Sequence, residues 1–205
     1  RGAEEAKRRK QAQEEPEKPE ALATLPRLKP SDVPRRLLTV PVERRQAHGA
    51  TVLEHPIFSN GVAYVHLAFD VADLDDATAP WVPLLGQATA GLGAAGLDYA
   101  AMATRIARAT GGVGHSLMAG TPLAGGAPFL RLVFHGKALH RNLRELAAIL
   151  RDLVTASDPG DRKRVKEILL EAKNDLHARV VPNGSQFAFT RAAATLGPAR
   201  WRQEQ

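Results

Sequence analysis

Seven histidines and no cysteine define the metal and nucleophile chemistry open to this 205-residue chain. Without thiols there is no disulfide and no thiolate ligand, so a metal would have to rest on imidazoles and carboxylates. The histidines are His48, His55, His66, His115, His135, His140 and His177. No two stand at the i, i+4 spacing that puts paired imidazoles on one helix face. Thr51-Val52-Leu53-Glu54-His55 would match the inverted zinc-peptidase pattern His-x-x-Glu-His only if Thr51 were His. Its alternation and the following Pro56 also deny it the helix that pattern needs. His66 and His135 are spaced to meet across a sheet, although strand histidines are more often surface or satisfied core groups than ligands. A literal G-x-G-x-x-G runs from Gly91 to Gly96. It closes a helix instead of leaving a strand, and no acidic residue follows about twenty positions on, so a flexible turn between helices accounts for it better than a dinucleotide site. No nucleophile elbow is present. The sequence therefore nominates no catalytic, cofactor-binding or metal-ligating residue.

The elements that would have to position any such group follow from periodicity. Ala3 to Glu15 is a polar helical stretch with few large apolar residues, marginal on its own. Pro16, Pro19, Pro26, Pro30 and Pro34 then impose an extended connector with short turns. From Leu37 the pattern alternates, with Leu38, Val40 and Val42 on one side, and Thr51 to Leu53 continues as a second short strand. Ser59-Asn60-Gly61 reads as a turn into a long strand over Val62 to Val71. A helix over Pro80 to Leu92 and another capped by Asp98 come next, the second stopped by Gly111 and Gly112. Strands over Val113 to Ala119 and Phe129 to Gly136 flank a Gly/Pro-rich hairpin loop. Three helices close the chain: one through Leu143 to Val154, one with an apolar face of Val165, Ile168, Leu169, Ala172, Leu176 and Val180, and one capped by Ser185 that ends near Gly197 and Pro198. The order is strand-strand-strand, helix-helix, strand-strand, helix-helix-helix. It predicts an α+β fold, an antiparallel or mixed sheet with helices packed on one face.

Composition narrows the function classes. A hydrophobic content of 44% with 24% charged residues is ordinary for a globular chain, and no apolar run reaches the roughly 20 residues of a membrane span. The net charge of +6 raises nucleic-acid binding as a reading. The basic residues Lys7 to Lys10 are bracketed by Glu4, Glu5, Glu14 and Glu15, and the later ones are scattered among acids. That is a solvated helix surface and not a binding stripe, so neither nucleic acid nor membrane is expected as a partner. The first residues lack the apolar core of a secretory signal. With no initiating Met, the chain reads as a segment excised from a longer protein. The compartment stays open, with the cytoplasm favoured.

Several phrases, in order, carry a family likeness: Pro19-Glu20-Ala21-Leu22-Ala23-Thr24-Leu25-Pro26-Arg27-Leu28, Ser31-Asp32-Val33-Pro34, Ser59-Asn60-Gly61-Val62-Ala63-Tyr64-Val65, and Thr110-Gly111-Gly112-Val113. Through them nearly the whole chain resembles the presequence-protease branch of the insulinase/pitrilysin-type zinc metallopeptidases. The resemblance implies an enzyme of four related α+β units in two halves, joined by a helical-hairpin linker and closing around unfolded peptides. Residues 1–24 would be the end of that linker with a Pro-rich connector. Residues 25–205 would be a noncatalytic third unit, truncated at its C-terminus. Zinc in the family belongs to the first unit, held by a His-x-x-Glu-His helix whose Glu is the general base. The matching helix here is Pro80 to Leu92, and the motif's His, Glu and His fall on Val82, Leu85 and Gly86. The family's later Arg and Tyr that hold substrate belong to a fourth unit that the chain does not reach, so no functional residue carries over.

The resemblance therefore implies a noncatalytic wall and hinge-side piece of a zinc metalloendopeptidase. No cofactor would sit in this chain and zinc would sit in the parent. Its partners would be the parent's other units and unfolded peptide substrates. The alternative is a stand-alone peptide- or protein-interaction module without protease activity.

Overall fold

The computed structural model describes residues 2–36, 39–197 and 200–201. Contacts divide the chain into two compact units, Arg1–Ile57 and Phe58–Gln205.

In the first unit, α1 (Gly2–Glu14) is polar all round and carries two side-chain pairs one turn apart, Arg9 to Glu5 at 2.7 Å and Lys10 to Glu14 at 3.8 Å. Proline starts both short helical pieces that follow, α2 (Pro19–Ala23) and a single 3₁₀ turn over Pro30–Asp32, as its fixed φ and missing N–H allow. The strands β1 (Glu43–Ala47) and β2 (Ala50–Glu54) form an antiparallel hairpin with Ala47 opposite Ala50. Its two-residue loop, His48 and Gly49, has φ of 50° and 81°, the positive pair of a tight hairpin turn that suits strand twist. The first strand thus lies later than its alternation predicts. Val40 and Val42 precede it, and Leu37 and Leu38 lie outside the described residues. The physical reason is that the hairpin turn fixes the register, and the partner of Ala50 to Glu54 is then the charged run Glu43 to Gln46.

The second unit is built on a three-stranded antiparallel sheet in the order β3–β5–β4, from β3 (Val62–Asp70), β4 (Val113–Gly120) and β5 (Phe129–Leu139). The turn before β3 forms as expected: Asn60 and Gly61 have φ of 51° and 76°, and the Val62 amide donates to the Ser59 carbonyl. Alternation separates the two faces. Val65, Leu67, Leu132, Phe134, Ala138, Val113 and Leu117 point to one side, where α3 (Val82–Gly91) and α5 (Leu143–Ala156) cover them. The fold class is the predicted one, α+β with helices on one face of the sheet.

Helix α5 joins two cores. Leu146 and Leu150 pack on the sheet, while Ile149 and Leu153, one row round the helix, pack with Met102 of α4 (Tyr99–Ala109) and with Ala94. Adjacent rows of a 3.6-residue helix thereby serve two neighbours at once. Asp98 caps α4 as expected, its Oδ1 accepting from the Ala101 amide at 2.7 Å. Helices α6 (Arg162–Val180) and α7 (Gly184–Ala193) follow. Helix α7 starts with Asn183 at its cap position and not Ser185, because the chain turns into helix within the Asn183-Gly184 pair. Of the expected apolar face of α6 only Ile168 is buried, while Leu169, Leu176 and Val180 stay 43–50% exposed.

Candidate functional site

Helix α3 is where a zinc motif would be expected from the sequence likeness, and its residues settle what can stand there. Val82 is 3% exposed and belongs to the core, whereas Leu85 is largely exposed. Gly86 is buried against β4 and β5: a Cβ there would lie 2.6 Å from His115 Cδ2 and 3.0 Å from Leu132 Cδ1. None of the three side chains is a metal ligand or a base, and the place of the motif's second imidazole is already filled by His115. These residues do not fit a zinc ion. Among the described residues, no group of three or more His, Asp or Glu is placed to share a metal ion.

His115 faces the helices. Its imidazole is held below the ordinary range, first by burial and then by the nearby His135. On the opposite face His66 and His135 are register partners on β3 and β5, and their rings lie 5.8 Å apart. They meet as their strand positions predict, and His48, His55, His140 and His177 do not join them. His55 contacts the Pro41 carbonyl at 3.0 Å in the first unit.

The glycine-rich run is structural. Ala94 is wholly buried, the Ala95 amide donates to the Ala156 carbonyl, and the Asp158 amide donates to the Gly93 carbonyl, both at 2.9 Å. A Cβ at Gly93 would sit 2.3 Å from the Leu97 carbonyl oxygen, so this glycine allows the backbone to fold back on itself. The turn is thus pinned to the end of α5 instead of hanging free, and its Ala95 and Leu97 amides are taken up by backbone carbonyls.

Two buried-edge ion clusters hold the helices. Arg105 of α4 donates to Glu145 at 2.7 Å and to Asp152 at 2.8 Å on α5, and Arg151 also donates to Asp152. Hydrogen bonds from Arg105 first and Arg151 second keep the Asp152 carboxyl below the usual carboxylate range. Arg164 of α6 lies over the Tyr99 ring at 4.6 Å and donates to the Gly91 carbonyl at the end of α3.

The helix-free face of the sheet is the candidate surface. It carries Tyr64, His66 and Ala68 from β3, Arg131, Val133, His135 and Lys137 from β5, and Gly114, Ser116 and Met118 from β4. Tyr64 is 65% and Met118 49% exposed. A shallow recess of about 440 Å³ lies over it between His66, His135 and the Gly111–Gly114 turn. It shares Tyr64, Gly111 and Lys137 with a second recess of about 390 Å³, which reaches Arg108, Arg141 and Asn142. Sequence reasoning missed this second hollow because its cations come from α4, β5 and the turn before α5, and no single segment signals it.

A family model described as peptidase M-16C associated matches residues 3–205. The chain is similar to presequence protease 1, chloroplastic/mitochondrial, of Arabidopsis thaliana, at 28% identity over 193 residues, which is 94% of this chain and 18% of that protein. It is 31% identical over 188 residues to the mitochondrial presequence protease of Emericella nidulans, covering 90% of this chain and 18% of that one. Protein HypA of Clostridium perfringens is 25% identical over 186 residues, or 89% of this chain and 19% of its own length. The chain spans under a fifth of the length of these curated relatives.

Proposed function

From the premise that this chain belongs to the peptidase M-16C-associated family, within the presequence-protease branch, we propose that it serves a zinc metalloendopeptidase as a noncatalytic wall of the chamber that receives unfolded peptides. The observation that carries this reading is the sheet of the second unit, packed by helices on one face and presenting exposed Tyr64 and Met118 around a buried Val133 on the other. A wall that contacts extended peptide needs an open, rigid, mixed polar and apolar surface, and the face bearing Tyr64, His66, Met118 and His135 is one. Its edge strands β3 and β4 each have one side without a strand neighbour among the described residues, so extended chain could also add there by backbone pairing.

The cutting chemistry is assigned to another part of the parent, because α3 offers Val82, Leu85 and Gly86 where ligands and base would have to be. Residues 1–24 are proposed as linker end and connector, and residues 25–205 as the noncatalytic unit whose partners are the parent's other units. What this chain contributes is shape and contact: it excludes folded proteins by enclosure and presents a surface to peptide.

An unstructured peptide carrying a photoreactive phenylalanine analogue tests the reading on the purified chain. Crosslinks are expected at Tyr64 and Met118, with no hydrolysis after zinc is added. Crosslinks confined to the outer surfaces of α5 and α6 would overturn the wall assignment, and chelator-sensitive cleavage would overturn the noncatalytic one.

A further inference from the structure

We propose that the second hollow on the bare sheet face is a carboxylate-binding site, which takes the carboxylate of an extended peptide lying across that face. Three cations from three elements converge on it: Arg108 in the last turn of α4, Lys137 on β5, and Arg141 just before α5. All three are exposed, and among the described residues none of them makes an ion pair. Among the described residues no carboxylate lines the hollow. The carboxylate in the adjoining recess, Glu145, is already taken by Arg105 at 2.7 Å. The usual cause of clustered cations on a folded surface, mutual compensation with acids, is therefore missing among the described residues.

The hollow is also shaped. The Lys137 stem lies along Gly111, where a Cβ would come within 3.1 Å of its Cγ and 3.2 Å of its Cε, so the glycine leaves the groove in which the lysine rests. Asn142 Nδ2 donates to the Ala109 carbonyl at 2.9 Å and fixes the far wall. Tyr64, the cross-strand partner of Lys137, also lines the hollow. Two arginine forks and an ammonium around one recess are the donors that a carboxylate takes in short, charge-assisted hydrogen bonds. Because this hollow shares Tyr64, Gly111 and Lys137 with the recess over His66 and His135, a peptide lying on the sheet face would deliver its acidic group to this end.

The inference rests on the chamber-wall reading, and the experiment separates the two. The full chain is titrated with a fluorescent, unstructured decapeptide in four versions: a free C-terminus, its C-terminal amide, and the amide with one internal Glu or the matching Gln. Either the free acid or the Glu peptide is expected to bind about tenfold tighter than its neutral counterpart, a difference of ~1.4 kcal/mol. Which of the two does so identifies the source of the carboxylate. In the Lys137→Gln/Arg141→Gln variant the acid preference is expected to fall to within about twofold while the neutral peptides, the plain amide and the Gln amide, bind as before. Arg131→Gln, at the far end of β5, should leave the preference intact and so separates this site from net positive charge. Gly111→Ala keeps every charge but displaces the lysine stem, and should reduce the preference. Equal binding of all four peptides, or a preference that survives the double substitution, overturns the carboxylate site alone. No binding of any peptide overturns the chamber-wall reading, and the site with it.

Discussion

The two units treat their apolar residues in opposite ways. Between 58 and 205, Met102, Leu146, Ile149, Leu150 and Leu153 are sealed from solvent and two clusters meet along α5. Between 2 and 57 no described residue is buried, although helix, 3₁₀ turn and hairpin all form, and Leu25 and Leu28 stand 60% and 90% exposed. Local hydrogen bonds, proline geometry and turn chemistry are enough to draw an element, but they do not supply the apolar burial that makes a unit cooperative. The first unit has form without a core of its own, and the second has both.

Substitution in the core should break this contrast most strongly. Leu150→Ala is expected to cost about 2–5 kcal/mol in urea unfolding, whereas Leu22→Ala in the first unit should change the same transition by less than about 0.5 kcal/mol. A comparable loss from both would mean that the first unit shares in the cooperative core. Next in size is Gly86→His, which restores an imidazole at the expected motif position. The side chain would run into His115 and Leu132, so a loss of about 1–3 kcal/mol is expected, with no stoichiometric zinc binding by calorimetry. A stable variant that binds zinc would show that the site had room after all.

The smallest effect concerns pH. His115 has a folded pKa below its unfolded value of about 6.5. The unfolded chain therefore takes up the proton first, and this contribution to stability, complete above that value, is lost as the pH falls from there toward the lower folded pKa. Asp152 acts in the same direction in a more acidic window, below the usual aspartate value. Urea midpoints measured at pH 7.5 and 5.5 should fall for the native chain and fall less for His115→Leu. Equal slopes would remove His115 as the cause.

Much of the architecture was legible because period 2 and period 3.6 report which face is apolar. The strand through Leu130, Leu132 and Phe134, the cap at Asp98 and the α5 stripe all follow from that signal. The first hairpin was not legible in the same way, since its strands are polar and its register is set by the backbone of His48 and Gly49. The stripe on α6 was visible while its exposure was not, because periodicity shows that a helix has an apolar face and not whether anything covers it. At the candidate site the split is similar. His66 and His135 were readable as strand positions that could meet. The cluster of Arg108, Lys137 and Arg141 was not, because only the return of α4, β5 and the turn before α5 to one corner of the sheet brings it together.

The fastening of α6 has a mechanical consequence. Arg164, with its hold on Gly91 and Tyr99, and the buried Ile168 secure the first turns of this helix, while every residue after Ala172 is exposed. At 1.5 Å per residue, the sixteen steps from Arg164 to Val180 make an arm about 24 Å long. A tilt of about 10° at its root would swing the tip by about 4 Å, so a displacement of side-chain size at one arginine becomes a movement the width of a backbone strand where α7 begins.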